Sequence, residues 1–166
     1  MKTIEKTIIS LIFQNYNLID YMTPLENLRI INQKADKSIL NNLGLGDEEI
    51  NRNVLQLSGG QQQRVAIARA LITKPQLILA DKPSGALDSK AADSLMNLFT
   101  TINQEGQTIV MVTHSVKAAS SAKRVLFIKD GKVFHQLYRG NLTNEEMYER
   151  ISDTLKILTT GGEEDE

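Results

Sequence analysis

The chain has 166 residues, 41% of them hydrophobic and 23% charged, as in an ordinary globular domain with a core of its own. Its formal net charge of −1 does not support a nucleic-acid-binding surface, and the lack of cysteine excludes disulfides and thiolate metal sites. The first apolar run is too short to span a membrane, so we expect a cytoplasmic protein. The last residues, 161–166, are predicted to form a disordered acidic tail.

The first half of the chain alternates between strand and helix patterns. A buried strand is predicted over 7–13, and apolar residues spaced by three or four indicate a loose helix over 25–43. Residues 47–57 are polar and poorly periodic. A clear helix over 61–73 ends before Pro75, and a second strand follows over 76–80.

The second half continues this alternation. Asp88 is predicted to cap a helix over 89–103, and the unbroken apolar strand 108–113 is typical of burial on both faces. A short helix follows. Then Asp130 and Gly131 predict a hairpin between strands 124–129 and 132–138. Thr143 and Glu146 form a predicted capping box for a last helix, which carries four apolar residues on one face: Met147, Ile151, Leu155 and Leu158. The order predicts an α/β fold, with a mostly parallel sheet, flanking helices and an antiparallel hairpin.

The octapeptide LSGGQQQR, residues 57–64, is the strongest candidate for chemistry. Two glycines and Ser58 precede a helix, so backbone N–H groups, a hydroxyl and the positive end of the helix dipole meet at one place. That combination predicts an anion site. The alternative for SGG alone is a capped helix after a glycine turn, and by itself it is the favoured one.

The complete octapeptide resembles the signature sequence of ABC-type ATPases, and four further motifs follow that family's order over residues 8–158. The resemblance implies a P-loop NTPase-like fold that uses ATP and Mg²⁺. It assigns the signature contact with nucleotide to Ser58, Gly59, Gly60 and Gln61. In the segment 11–28, similar to the Q-loop, it makes Gln14 the glutamine that touches magnesium and the attacking water.

The remaining motifs carry three more assignments. LILAD, 77–81, resembles the Walker B strand and makes Asp81 a magnesium ligand through water. SGALDS, 84–89, is similar to the D-loop and places Asp88 at a dimer seam, while VMVTH, 110–114, resembles the switch strand with His114 at the γ-phosphate. Alone, Gln14 would be a loop residue, Asp81 a helix cap and His114 a surface histidine. His135 is predicted to be structural.

Three features depart from the family. The P-loop pattern G-x-x-x-x-G-K-[ST] is absent, because the only Gly–Lys pair, Gly131 and Lys132, precedes Val133. Lys82 occupies the position of the family's catalytic glutamate, and a charged lysine cannot accept a proton. The segment 25–57 is shorter than the family's helical subdomain. We therefore expect residues 1–160 to be a partial ABC ATPase domain without its first strands.

The resemblance implies a transporter subunit that pairs with a second ABC ATPase and with a membrane permease at the inner face of the membrane. The segments 122–140 and 151–158 are similar to ATPases of bacitracin- and lantibiotic-type peptide resistance and export. With Lys82 and no P-loop, this chain is expected to be degenerate and at best to donate its signature to ATP on a partner. Two alternatives remain: a non-functional remnant that exposes apolar surface, and a non-transport ABC ATPase in DNA repair or translation.

Overall fold

The computed structural model describes residues 8–160, which belong to two compact units that divide between Val112 and Thr113. The predicted acidic tail, 161–166, lies outside the described residues. Within the described part of the chain, no helix combines the length and apolar character that a membrane span requires.

The first unit is built on a three-stranded parallel sheet in the order β1-β2-β3. Its strands are β1 (Ile9–Ile12), β2 (Leu77–Asp81) and β3 (Thr108–Val112). Ile12 pairs with Ala80, and Ala80 pairs with Met111. The strands therefore end at one common edge, where parallel α/β sheets hold their ligands.

One face of this sheet is covered and the other is open. Ile12, Ile78 and Ala80 are buried on the covered face, whereas Leu11 and Val110 on the other face are each 50% exposed. The prediction that β3 is buried on both faces is wrong. Its apolar sequence suits two covered faces, but the described residues cover only one.

Residues 24–57 form short helices that pack against a longer helix, α4 (Gly59–Leu71), which in turn contacts β1. They comprise α1 (Pro24–Ile31), α2 (Ser38–Asn42), α3 (Asp47–Ile50) and a 3-10 turn (Val54–Gln56).

The prediction of one loose helix over 25–43 is wrong, because the chain leaves helical geometry at Asn32. The Asn32 side chain accepts a hydrogen bond from the Lys34 N–H at 3.1 Å, and the Asp36 side chain accepts one from the Ser38 N–H at 2.7 Å. Such local side-chain bonds compete with the helix for backbone donors.

Two longer helices support the sheet: α4 (Gly59–Leu71) and α5 (Ser89–Gln104). The predicted helices 61–73 and 89–103 are confirmed, with α4 starting two residues earlier than expected. The Asp88 carboxylate accepts a hydrogen bond from the Ala91 N–H at 2.8 Å and caps α5 as predicted. The buried side of α5 consists of Leu95, Met96, Phe99 and Ile102.

The second unit contains α6 (Val116–Ala119), the hairpin β4 (Arg124–Lys129) and β5 (Lys132–Tyr138), and α7 (Asn144–Thr160). The predicted hairpin is confirmed. Asp130 and Gly131 both have positive φ, 50° and 74°, as a two-residue turn with the right twist requires.

The start of α7 carries the predicted capping box. The Thr143 N–H donates to Glu146 at 2.8 Å, and the Glu146 N–H donates to the Thr143 hydroxyl at 3.2 Å. Met147 and Ile151 are buried with Phe127, whereas Leu155, on the same predicted face, is 37% exposed. The buried cluster covers only the first turns of α7, and the Leu158 side chain lies outside the described residues.

Candidate nucleotide site

Gln14 follows β1 and reaches the turn that follows β2. Its Nε2 atom lies 2.8 Å from the position that a Cβ on Gly85 would occupy, and the Lys82 carbonyl oxygen lies 3.2 Å from the same point. A side chain at Gly85 would displace the Gln14 amide and would press on the Lys82 carbonyl. Asp81 is exposed at the end of β2, immediately before this turn. The structure thus places Gln14 and Asp81 at the same edge of the sheet.

Lys82 adopts a left-handed backbone, with φ of 44°, which is unfavourable for a residue other than glycine or asparagine. Its N–H donates to the Val112 carbonyl at 2.8 Å, and its carbonyl accepts from the Gly85 N–H at 2.9 Å. The end of β3 and the following turn therefore hold this backbone in place. Lys82 stands where the family's catalytic glutamate is expected. A charged lysine has no lone pair with which to accept a proton, so it cannot act as the base.

The signature turn, residues 58–61, forms the capped start of α4. The Ser58 hydroxyl accepts the Gln61 N–H at 3.3 Å, and the Gln61 side chain accepts the Ser58 N–H at 2.9 Å. The alternative drawn from SGG alone, a helix cap, is thus present in the structure. It does not exclude the anion site, because Ser58 is exposed and its own proton remains available. Among the described residues, none accepts the first-turn N–H of Gly59 or Gly60.

The Gln61 side chain already makes hydrogen bonds within the protein, whereas its predicted role is to contact nucleotide. Besides its bond to the Ser58 N–H, its Nε2 lies 3.4 Å from a Glu49 carboxylate oxygen. Contact with a nucleotide would require this side chain to leave both partners.

Tyr16 is a site residue that the sequence motifs do not identify. Its hydroxyl oxygen lies 2.8 Å from the position of a Cβ on Gly59, and a Leu87 methyl carbon lies 3.4 Å from that position. The segment after β1, the signature turn and the segment before α5 therefore meet around Gly59. Burial raises the pKa of Tyr16 above its usual value. In the sequence, the glycine at position 59 was the only indication that another group packs closely against this turn.

Arg69, on α4, fixes the loop that contains Tyr16. Its guanidinium donates to the Tyr16 carbonyl at 3.1 Å and to the Asn17 carbonyl at 2.5 Å. Both loop residues have positive φ, 59° and 51°. Burial lowers the pKa of Arg69, but an arginine remains protonated under ordinary conditions.

The remaining candidates are Asp88, His114 and His135. Asp88 is exposed and its carboxylate caps α5, so the role at a dimer seam stays a prediction. His114 is exposed shortly after β3 and belongs to the second unit. The His135 ring packs on Phe127 with centroids 5.8 Å apart, consistent with the structural role that we predict for it.

The residues present fit a single magnesium ligand rather than a complete Mg²⁺–ATP site. Across residues 8–160, no three His, Asp or Glu side chains cluster as a metal site. Magnesium in nucleotide sites commonly takes one or two carboxylates together with phosphate oxygens, which Asp81 could satisfy. The described residues form no triphosphate cradle, and the single Gly–Lys pair of the sequence, Gly131 and Lys132, lies in the hairpin of the second unit.

Comparison with known proteins agrees with this architecture. The family model described as ABC transporter matches residues 1–85. The bacitracin export ATP-binding protein BceA of Halalkalibacterium halodurans is 39% identical over 93% of this chain and 65% of its own length. The macrolide export ATP-binding/permease protein MacB of Hyphomonas neptunium is 45% identical over 74% of this chain and 20% of its own length.

A solved structure is also similar: the dimeric ATP-binding cassette MJ0796 in a post-hydrolysis state bound to ADP and Pi. It superposes with a TM-score of 0.67 at 38% identity, covering 84% of this chain and 65% of the cassette. The chain thus spans less than two thirds of the length of BceA and of this cassette. The matched family model, the relatives and the cassette fold together show that this chain belongs to the ABC transporter ATP-binding family.

Proposed function

We propose that this chain is a degenerate subunit of an antibiotic or antimicrobial-peptide exporter or resistance transporter. In this role residues 58–61 close over ATP that an intact partner ATPase holds. The proposal rests on a contrast between two parts of the chain. The signature turn is exposed and rich in hydrogen-bond donors, whereas the chain's own hydrolytic site, called the cis site below, has Lys82 beside Asp81. This chain therefore retains the groups that would contact ATP bound by a partner, but not those needed to hydrolyse ATP in its own site.

The cis site is expected to be inactive. The loss of a general base typically lowers a rate by about 100- to 10,000-fold, and Lys82 cannot replace one while it is charged. These 166 residues also contain no P-loop pattern to bind the triphosphate. Asp81, Gln14 and His114 would then occupy their family positions without supporting hydrolysis by the chain alone.

The proposed contribution to ATP held by the partner, called the trans role, is supported by the signature turn. The exposed Ser58 hydroxyl and the unaccepted N–H groups of Gly59 and Gly60 are donors suited to phosphate oxygens at a helix N-terminus. Asp88 is also exposed and accessible to a partner. In the proposed dimer, magnesium and the triphosphate are held by the partner, and this chain supplies hydrogen bonds alone.

The proposed partners follow from the relatives. The cassette MJ0796 is dimeric, and MacB combines ATP-binding and permease parts in one protein. We infer that this chain binds a second ABC ATPase and a permease, and that the permease holds it at the inner face of the membrane. BceA and MacB point to antibiotics or peptides as the transported class.

A complementation assay tests the proposal. A partner ATPase whose own signature serine is replaced by alanine has low activity, and addition of this chain should restore Mg²⁺-dependent ATP hydrolysis. A chain with Ser58→Ala should fail to restore it, while the exposed serine variant Ser38→Ala should behave as wild type. Equal restoration by the Ser58→Ala chain, or none by wild type, would refute the trans role.

One further candidate is supported by a specific observation. The open apolar face of the sheet is what a non-functional remnant would show, since such patches are rare on stable monomers. A remnant would aggregate or bind ANS and lack a cooperative unfolding transition. A cooperative transition together with restored partner activity would exclude it.

A further inference from the structure

Tyr16 closes a tight turn that directly follows β1. Its N–H donates to the Phe13 carbonyl at 3.1 Å, so Gln14 and Asn15 are the central residues of a four-residue turn. The next N–H, of Asn17, donates to the Asn15 carbonyl at 2.5 Å. Gln14 and Tyr16 therefore belong to one compact, hydrogen-bonded segment.

This turn touches two different parts of the candidate nucleotide site. The Gln14 Nε2 atom lies 2.8 Å from the position of a Cβ on Gly85, in the turn that follows β2. The Tyr16 hydroxyl oxygen lies 2.8 Å from the corresponding position on Gly59, the first residue of α4. One short turn thus contacts both the carboxyl end of the sheet and the signature turn.

Tyr16 is attached to α4 at two places. Its carbonyl accepts a hydrogen bond from Arg69 at 3.1 Å, while its hydroxyl packs at the opposite end of the helix, on Gly59. A Leu87 methyl carbon lies 3.4 Å from the same Cβ position on Gly59 and adds a contact from the segment before α5. The first turn of α4 is therefore packed against two other segments of the chain.

The contact between Tyr16 and Gly59 acts through shape. A Cβ at 2.8 Å from the hydroxyl is closer than real side chains approach, so the tyrosine can occupy this place only because residue 59 is a glycine. All the groups that pack here are protein groups, and none requires a nucleotide in the cis site. Such preorganisation keeps donors in place before a ligand arrives.

We propose that Tyr16 is a positioning residue for the signature turn, which it holds ready for the partner's ATP without a nucleotide in the cis site. The contact itself depends only on local geometry, whereas its effect on ATP hydrolysis rests on the proposed function.

The contact is tested first, by NMR on the full chain without nucleotide. The Tyr16 Cζ atom lies 3.9 Å from the Cβ position on Gly59, so the Gly59 α-protons should show nuclear Overhauser effects to the Tyr16 ring and to the Leu87 methyl groups. In Tyr16→Ala the effect between Gly59 and Leu87 should weaken, and in Tyr16→Phe it should remain. Absence of the effect between Gly59 and Tyr16 in wild type would overturn the proposal.

Positioning is tested in the partner ATPase assay. Gly59→Ala places a methyl group against the Tyr16 hydroxyl and should lower the partner kcat by about 10- to 100-fold, since misplacement of a site by about 1 Å has effects of that size. The KM for ATP should change little, because the partner holds the nucleotide. Tyr16→Phe removes the hydroxyl, and in the Gly59→Ala chain it should restore most of the rate.

Two controls separate this rescue from a general effect. A Cβ on Gly60 would meet the Ala91 Cβ at an ordinary 3.5 Å, so Tyr16→Phe should not restore any rate lost in Gly60→Ala. Tyr21 is 78% exposed, and Tyr21→Phe should not rescue Gly59→Ala.

The outcomes distinguish the two proposals. Failure of Tyr16→Phe to rescue Gly59→Ala, or equal rescue by Tyr21→Phe, would overturn the positioning role. If wild type fails to stimulate the partner while the Overhauser effects are present and respond to Tyr16→Ala, the proposed function fails and Tyr16 still positions the turn.

Discussion

The Tyr16 hydroxyl packs against Gly59 so closely that a Cβ at Gly59 would lie 2.8 Å from it. This contact joins the loop after β1 to the signature turn, two segments separated by more than forty residues in the chain. Arg69 donates to the Tyr16 carbonyl at 3.1 Å and so holds the backbone from which this side chain projects.

We predict that the sign of a Gly59→Ala effect depends on Tyr16. In wild type the added methyl meets the hydroxyl and should lower the free energy of unfolding, as overpacking does by about 1–3 kcal/mol. With Tyr16→Phe the hydroxyl is gone, and alanine's helix preference of up to about 1 kcal/mol over glycine should reduce or reverse the loss. A double-mutant cycle in urea measures this coupling, and additive effects would contradict the contact.

Restoring a glutamate should not restore hydrolysis. Lys82→Glu supplies the missing base, but these 166 residues lack a P-loop pattern, so ATPase activity of the chain alone should stay at the level of Asp81→Ala. A phosphate-release assay with magnesium measures it. Clear turnover by Lys82→Glu would show that the triphosphate is held in another way.

Removing the Arg69 guanidinium should loosen the loop at Tyr16 and Asn17. Arg69→Met keeps much of the apolar stem and removes both donors, so the free energy of unfolding should fall by about 1.5–3 kcal/mol. The control is Arg52→Met, at an exposed ion pair with Glu48, which should change stability by less than about 1 kcal/mol. Equal losses in the two variants, measured by urea denaturation, would argue against the bracing role.

The open face of the sheet should govern the solution behaviour of the isolated chain. Leu11→Thr with Val110→Thr replaces two half-exposed apolar residues by β-branched polar ones, and should reduce ANS fluorescence and aggregation. Ile30→Thr, at a 52% exposed position on α1, is the matched control. If all variants bind ANS equally, the dye is binding elsewhere.

The start of α7 should contribute to acid sensitivity. The Thr143 backbone N–H, which donates to Glu146, lowers the pKa of that carboxyl below its usual value. Its stabilising contribution is therefore complete above the pKa of the unfolded chain and is lost as pH falls through the lower, folded pKa. Thermal unfolding from neutral pH to about pH 3 should show a smaller acid loss of Tm in Glu146→Gln than in wild type. The adjacent exposed Glu145→Gln should follow wild type, and an unchanged pH profile in Glu146→Gln would contradict the assignment.

Local sequence patterns were enough to predict the starts of α5 and α7, the hairpin and the family. Asp88, Thr143 and the pair Asp130–Gly131 act through bonds and dihedral preferences within a few residues, so they are visible in the chain itself. LSGGQQQR likewise carries its interpretation in consecutive residues, and the comparisons confirm the ABC transporter family.

The tertiary structure decided what depends on distant neighbours. The apolar pattern of β3 does not state whether both faces are covered, since cover comes from other segments. The contact of Tyr16 with Gly59 likewise depends on how the start of α4 packs against the segment after β1. A sequence determines which groups are available locally, whereas packing determines which of them meet and which remain unsatisfied.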